Sequence, residues 1–222
     1  MLTHEQLSEH LRLQDQLNRL IHPQWYEQQF NWNRAIMVEA AGMMEHISWR
    51  WWKPHEPDLY KARLGLVDLW HLILSEELDS CEGHQDEAAN NLMHAIRNPA
   101  LYVPRAYGYA NLQKQDILGL IQTLVGLASG GYVSITAFIT LMDRLNLSWD
   151  ELHRQYLAKN ILNIFRHQNG FQIGEYAKVW GKHGEDHKVL TRLMSAEPDL
   201  TAEQLLAQLD SLYTEILESA AA

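Results

Sequence analysis

The chain has 222 residues, enough for one large domain or two small ones around a substantial core. It is 46% hydrophobic and carries 8 Trp, which excludes a disordered chain, and its formal net charge of −10 argues against duplex nucleic acid or an anionic membrane as the main partner. The single cysteine, Cys81, excludes an internal disulfide framework and suits a reducing compartment. The first residues lack the basic and apolar regions of a signal peptide, and no apolar run approaches the roughly 20 residues of a membrane span. The expectation is a soluble cytoplasmic protein.

Leu7, Leu11, Leu17 and Leu20 recur at helical spacing, so residues 3–21 read as an amphipathic helix that Pro23 ends. A second helix is expected over 33–48, with Ile36, Ala40, Met43, Met44 and Ile47 on its apolar side. After the breakers Pro54 and Pro57, a long third helix runs over 58–81. Residues 82–111 read as a short helix and then loop, followed by helices over 114–128 and 133–146 that Gly130-Gly131 separates. Ser148-Trp149-Asp150-Glu151 is a capping box opening a helix that runs to the αL stop Asn169-Gly170. A glycine-punctuated loop crosses 170–184, and Thr201-Ala202-Glu203-Gln204 caps a terminal leucine-rich helix. No credible strand exceeds Tyr132-Val133, so the fold class is all-α, a compact multi-helix bundle in one domain over 1–222.

Two stretches stand out on the second and third helices, Glu39-Ala40-Ala41-Gly42 and Gly65-Leu66-Val67-Asp68. Each pairs an acid with a glycine three positions away, and acids from adjacent helices facing a bundle interior are how helical proteins build a Mg²⁺ site. An unpaired carboxylate is expensive to bury, so the alternative is an ion pair with Arg34, Lys53 or Arg63. The Pro54–Pro57 turn lets the two helices run antiparallel and brings Glu39 near Asp68. Glu45 is rotated by about 240° from Glu39 and faces elsewhere, while Glu76 and Glu77 lie two to three turns beyond Asp68. Mid-helix glycine costs about 0.8–1 kcal/mol against alanine, so either close helix approach or a lost side chain explains Gly42 and Gly65.

On the helix after Ser148, Lys159, Asn163 and Arg166 fall at i, i+4 and i+7, one face carrying donors for phosphate oxygens. Lys178 and Lys182 follow in the glycine-rich loop. Residues 153–189 hold six Lys/Arg against three Asp/Glu in an otherwise acidic chain; a solvated basic face is the bland alternative. Trp49 and Trp52 read as core anchors or as pocket-lining aromatics. Gln14 and Asn18 share a face and present the paired donors and acceptors that read the edge of a base. His71, one turn from Asp68, reads as a core histidine or one that orients a ligand.

Together these stretches resemble the all-α, dimeric dUTP diphosphatases, over roughly residues 7–80 and 148–190. The match is carried by Glu39-Ala40-Ala41-Gly42, Trp49-Arg50-Trp51-Trp52-Lys53, Gly65-Leu66-Val67-Asp68, the run from Tyr156 to Phe171, Gly174-Glu175-Tyr176-Ala177-Lys178-Val179-Trp180 and Gly184-Glu185-Asp186. The resemblance implies a homodimer that converts dUTP, and also dUDP, to dUMP, with residues 82–147 as a smaller, mobile region. It implies Mg²⁺ at Glu39 and Asp68 as metal-binding and catalytic residues, phosphate binding by Lys159, Asn163, Arg166 and Lys178, and base and sugar contacts from Gln14, Asn18, Trp49 and Trp52. The family motifs are E-x-x-E and E-x-x-D, whereas this chain has Gly42 and Gly65 at two of the four carboxylate positions. Three functions stay open: a working or weakened dUTP hydrolase, a nucleotide-binding homologue without turnover, and a pyrophosphatase for another nucleoside triphosphate.

Overall fold

The computed structural model of the protein describes residues 1–104, 108–197 and 200–221. These form the helices α1 (His4–Ile21), α2 (Trp32–Met43), α3 (Leu59–Ser80), α4 (Gln85–Arg97), α5 (Tyr109–Leu112), α6 (Ile117–Ser129), α7 (Ile135–Arg144), α8 (Trp149–Gln168), α9 (Asp186–Ala196) and α10 (Ala202–Ala221). Among the described residues there is no strand, only an isolated antiparallel bridge between Val179 and Glu185. The all-α expectation holds.

Local chemistry sets most of the helix starts. Asn31, Asp58, Asp116 and Ser134 each accept a hydrogen bond from the backbone N–H three residues on, satisfying a donor that the first helical turn leaves orphaned. The Thr201 box is reciprocal: Gln204 N–H donates to Thr201 Oγ1 at 3.2 Å, and Thr201 N–H to Gln204 Oε1 at 2.9 Å. Thr3 and Gln6 make the same exchange at the start of α1. Gly170 takes φ 82°, the left-handed stop expected after Asn169. The second helix is shorter than its apolar pattern suggests. It tightens into a 3-10 turn at Met44–His46, and Ser48 at φ 57° cannot continue a right-handed helix.

The chain divides into two compact units, with the boundary falling inside α1 and α8: residues 1–15 with 26–153, and 16–25 with 154–222. In the first, α2 packs against both α3 and α6, and α7 packs against α4 and α6. The core here is aliphatic, with Trp70 stacked on Phe138 at 5.4 Å and met edge-on by Trp149. Buried His10 is fixed in one tautomer: Trp70 Nε1–H donates to its Nδ1 at 3.0 Å, so its own proton sits on Nε2, 2.8 Å from His153 Nδ1. In the second unit, Phe165, Tyr176, Trp180 and Tyr213 pack ring against ring, with centroids 5.1–6.1 Å apart.

Contacts between α2 and α3 fix their direction. Trp32 Nε1–H donates to Asp79 at 3.2 Å, the Met43 side chain lies on Gly65, and Asp58 N–H donates to the His46 carbonyl at 2.9 Å. As the number rises along one helix its partner's falls along the other, so the pair is antiparallel, as the Pro54–Pro57 turn suggests.

Candidate active site

The Met43–Gly65 contact sets the register for the two acids. One turn back from Met43 on α2 is Glu39, and one turn on from Gly65 on α3 is Asp68, each on the same helix face as its reference residue. In an antiparallel pair those two steps go in the same direction, so Glu39 and Asp68 stand at the same level of the hairpin. Both are half-buried.

The two glycines that flank this pair differ. Gly42 is exposed, and a Cβ there would have nothing within 4 Å. Gly65 is buried, and a Cβ would stand 2.5 Å from Met43 Cγ and 3.2 Å from its Sδ. Close helix approach therefore accounts for Gly65 and not for Gly42.

Other acids on these helices are occupied elsewhere. Glu45 takes hydrogen bonds from Trp49 Nε1 at 3.1 Å and from Arg50 at 2.6 Å. Glu77 takes Asn91 Nδ2 at 3.0 Å, near the far end of α3. Glu76 lines a recess of about 260 Å³ with Asn31, Trp32, Asn33, Asp79 and Ser80. Burial first, then the charges of Glu77 and Asp79, push its carboxyl up to about 7 against a smaller opposing pull from the Ser80 hydroxyl. His71 is a core residue whose Nδ1 lies 2.8 Å from the Val67 carbonyl.

Trp49 and Trp52 are not core anchors. Their segment is turn, not helix, which places Trp51 85% and Trp52 57% exposed, with Trp49 half-buried. The rings hold one another edge-to-face, Trp49 on Trp52 at 5.3 Å and Trp51 on Trp52 at 5.4 Å, and the Arg50 guanidinium lies 5.4 Å from the Trp49 ring centre. Such a cluster offers flat apolar surface to a planar ligand. Gln14 and Asn18 are both buried on α1, where an amide must be hydrogen-bonded to be tolerated.

The donor face on α8 is braced by a network of side-chain hydrogen bonds. Asp186 grips Arg166 through two 2.8 Å bonds, to Nε and to one terminal nitrogen, and Asn163 Oδ1 takes the other terminal nitrogen at 3.3 Å. Tyr176 Oη–H and His187 N–H also donate to Asp186, at 2.8 and 2.7 Å. Burial raises the Asp186 carboxyl, but the hydrogen bonds of Arg166 and Tyr176 and the Arg166 charge outweigh it and hold the group below the usual carboxylate range. Three of the five guanidinium N–H donors are thus engaged by Asp186 and Asn163, and the Tyr176 hydroxyl beside them also acts on the guanidinium. Lys178 is exposed, its ammonium 5.0 Å from the Phe171 ring centre, and Lys159 is half-buried. Gly170, Gly174 and Gly184 have φ near 80°, the conformation that folds the loop carrying Lys178 back toward Asp186; Asp186 N–H donates to the Lys178 carbonyl at 2.9 Å. Asp186 is the important residue that pattern reading left without a role. It stood in sequence only as part of Gly184-Glu185-Asp186.

A family model described as dUTPase matches residues 6–171. The chain belongs to the all-α dUTPase family. Its general function is therefore dUTP hydrolysis, and the match includes Gln14, Asn18, Glu39, Asp68, Lys159, Asn163 and Arg166, while Lys178 and Asp186 lie beyond it. No curated protein matches the chain. Among the described residues no helix is long and apolar enough to cross a membrane.

dUTPases of this family depend on a divalent metal, and the residues present fit such an ion poorly. Among the described residues no group of three or more His, Cys, Asp or Glu could hold a metal ion. The hairpin offers Glu39 and Asp68 where the family resemblance implies four carboxylates, and a hard cation needs oxygen ligands that glycine and methionine do not supply.

Proposed function

We propose that this chain binds dUTP, and also dUDP, and hydrolyses dUTP to dUMP and diphosphate only feebly, as a homodimer. The family match carries the reading, because it spans both acids and three of the phosphate-directed residues. Lys159, Lys178 and Arg166 hold phosphate oxygens, and Asn163 keeps the guanidinium in its plane. Gln14 and Asn18 read the uracil edge, and the Trp49–Trp52 cluster covers the base or sugar.

In dUTP hydrolysis a water attacks the phosphate chain, a P–O bond breaks, and the water's proton must go to a base. Glu39 and Asp68 are the bases this chain retains. The Mg²⁺ expected from sequence meets half the carboxylates that the resemblance implies, so no step is assigned to it. The emptied positions favour a second reading for the cell, in which the protein acts by holding the nucleotide. A diphosphate-release assay with dUTP and Mg²⁺, paired with calorimetric dUTP titration, separates the readings. Micromolar binding with slow release supports ours, release at the rate of a four-carboxylate enzyme overturns it, and absence of binding removes both.

A further inference from the structure

We infer that Met43 is a plug: it holds position 65 free of any side chain and closes the acidic face of the α2–α3 hairpin. The inference rests on the reading of Glu39 and Asp68 given above. Met43 is the last residue of α2 and only 2% exposed, and its Cγ lies where a Cβ on residue 65 would collide at 2.5 Å. Cγ is close to the backbone, so no swing of the thioether tip relieves the clash; the side chain must change χ1 inside a packed layer. A carboxylate at 65 and Met43 as it stands exclude one another. At 42 no such exclusion exists, since the space beyond the Cα is open. The two absent carboxylates are therefore unequal losses. The one at 42 is a missing charge, and the one at 65 is a missing charge whose volume has been filled.

The same logic gives the two glycines opposite signs. At an exposed helical position with free space, alanine raises helix propensity without steric penalty. At 65 the same methyl gains that propensity and then meets Met43.

The test combines thermal unfolding with binding of Mn²⁺, used as the probe for a divalent site and followed by electron paramagnetic resonance. Gly42→Ala should raise Tm by about 2–4 °C, and Gly65→Ala should lower it by at least as much. In a Met43→Ala background, Gly65→Ala should lose most of that penalty, because removing the thioether leaves room for the methyl. The Gly42/Gly65 sign contrast stands alone if Met43→Ala is too unstable to purify. For metal, Met43→Ala/Gly42→Glu/Gly65→Glu should bind Mn²⁺ at least about tenfold more tightly than Gly42→Glu/Gly65→Glu, a difference of about 1.4 kcal/mol. Gly65→Ala raising Tm as much as Gly42→Ala, or Mn²⁺ bound by both restored forms with equal affinity, overturns the plug. If the Tm contrast appears and neither restored form binds Mn²⁺, the plug stands and the hydrolase reading of the acidic face falls.

Discussion

Arg166 on α8 is gripped with two 2.8 Å bonds by a buried carboxylate at the start of α9, itself tied to Tyr176 in the aromatic core, whereas on the α2–α3 hairpin one expected carboxylate position opens to solvent and the other lies under Met43. The difference is one of coupling to the fold. Arg166, Asp186 and Tyr176 hold the second unit together, so losing any of them costs folding as well as binding. Carboxylates crowded on a helix face repel one another and give nothing to the apo-protein. A glycine in place of one costs about 1 kcal/mol of helix propensity at most, and folding can absorb that.

The largest effect expected from this contrast is at Asp186. Asp186→Ala leaves the Arg166 guanidinium partly buried without its counter-ion, and urea unfolding should register a loss of about 3 kcal/mol. A value below about 0.5 kcal/mol, the level of an exposed pair, would erase the contrast. Because the folded carboxyl titrates below its ordinary value, its stabilisation is present in full above the unfolded pKa and disappears as pH falls through the folded one. Near-ultraviolet dichroism of the Tyr and Trp cluster should therefore hold above the ordinary Asp range and weaken progressively as pH falls below it.

Next is dUTP affinity. Arg166→Ala should weaken calorimetric binding by about 1.5–3 kcal/mol, the range for hydrogen bonds to charged groups, and should also lower Tm because Asp186 loses its partner. Lys178 is exposed and its ammonium lies 5.0 Å from the Phe171 ring centre, so Lys178→Ala should lower affinity with Tm unchanged. A Tm drop in both variants, or in neither, would blur the distinction between core-coupled and surface donors.

Glu76 offers an intermediate test on the first unit. Its carboxyl titrates near 7 in the folded chain, above the ordinary value, so ionising it opposes folding between the two values and to the full extent above 7. Glu76→Gln should stabilise the protein by about 2 kcal/mol at pH 8 and by nothing near pH 4. His10 works in the reverse sense. Burial first, then His153 and His71, hold it well below its ordinary value, so stability falls by up to about 1.4 kcal/mol per unit as pH drops below 6.5. His10→Gln should flatten that slope in urea melts between pH 7 and 5.5; an unchanged slope would assign it to another group.

Sequence alone carried the helices wherever local chemistry decides them. The Ser148 and Thr201 caps, the Asn169-Gly170 stop and the antiparallel α2–α3 hairpin all follow from side chains within a few positions of the effect. What it missed depends on tertiary packing. The helix α9 went unread because glycines dominate the segment before it, although Val189 and Leu190, both buried, carry its apolar face. For Trp49 and Trp52 sequence left core anchor and pocket-lining aromatic both open, and only the non-helical segment at 49–52 decides against the core. Asp186 has no role of its own in the sequence until the fold sets it against Arg166. In the candidate site, the residue types and their helices were readable, but the filling of position 65 was not, since Met43 looks like any other apolar position on α2.

The central proposal is that the chain binds dUTP but hydrolyses it only feebly, and single-turnover diphosphate release from dUTP with Mg²⁺ tests it most directly. The rate should be lowest in the chain as it stands, higher in Gly42→Glu/Gly65→Glu, and highest when Met43→Ala is added, spanning at least about a hundredfold, the lower end of what a positioned acid or base contributes. dUTP affinity should change little across the three. A chain with Gly42 and Gly65 intact that releases diphosphate as fast as the restored forms would contradict the account.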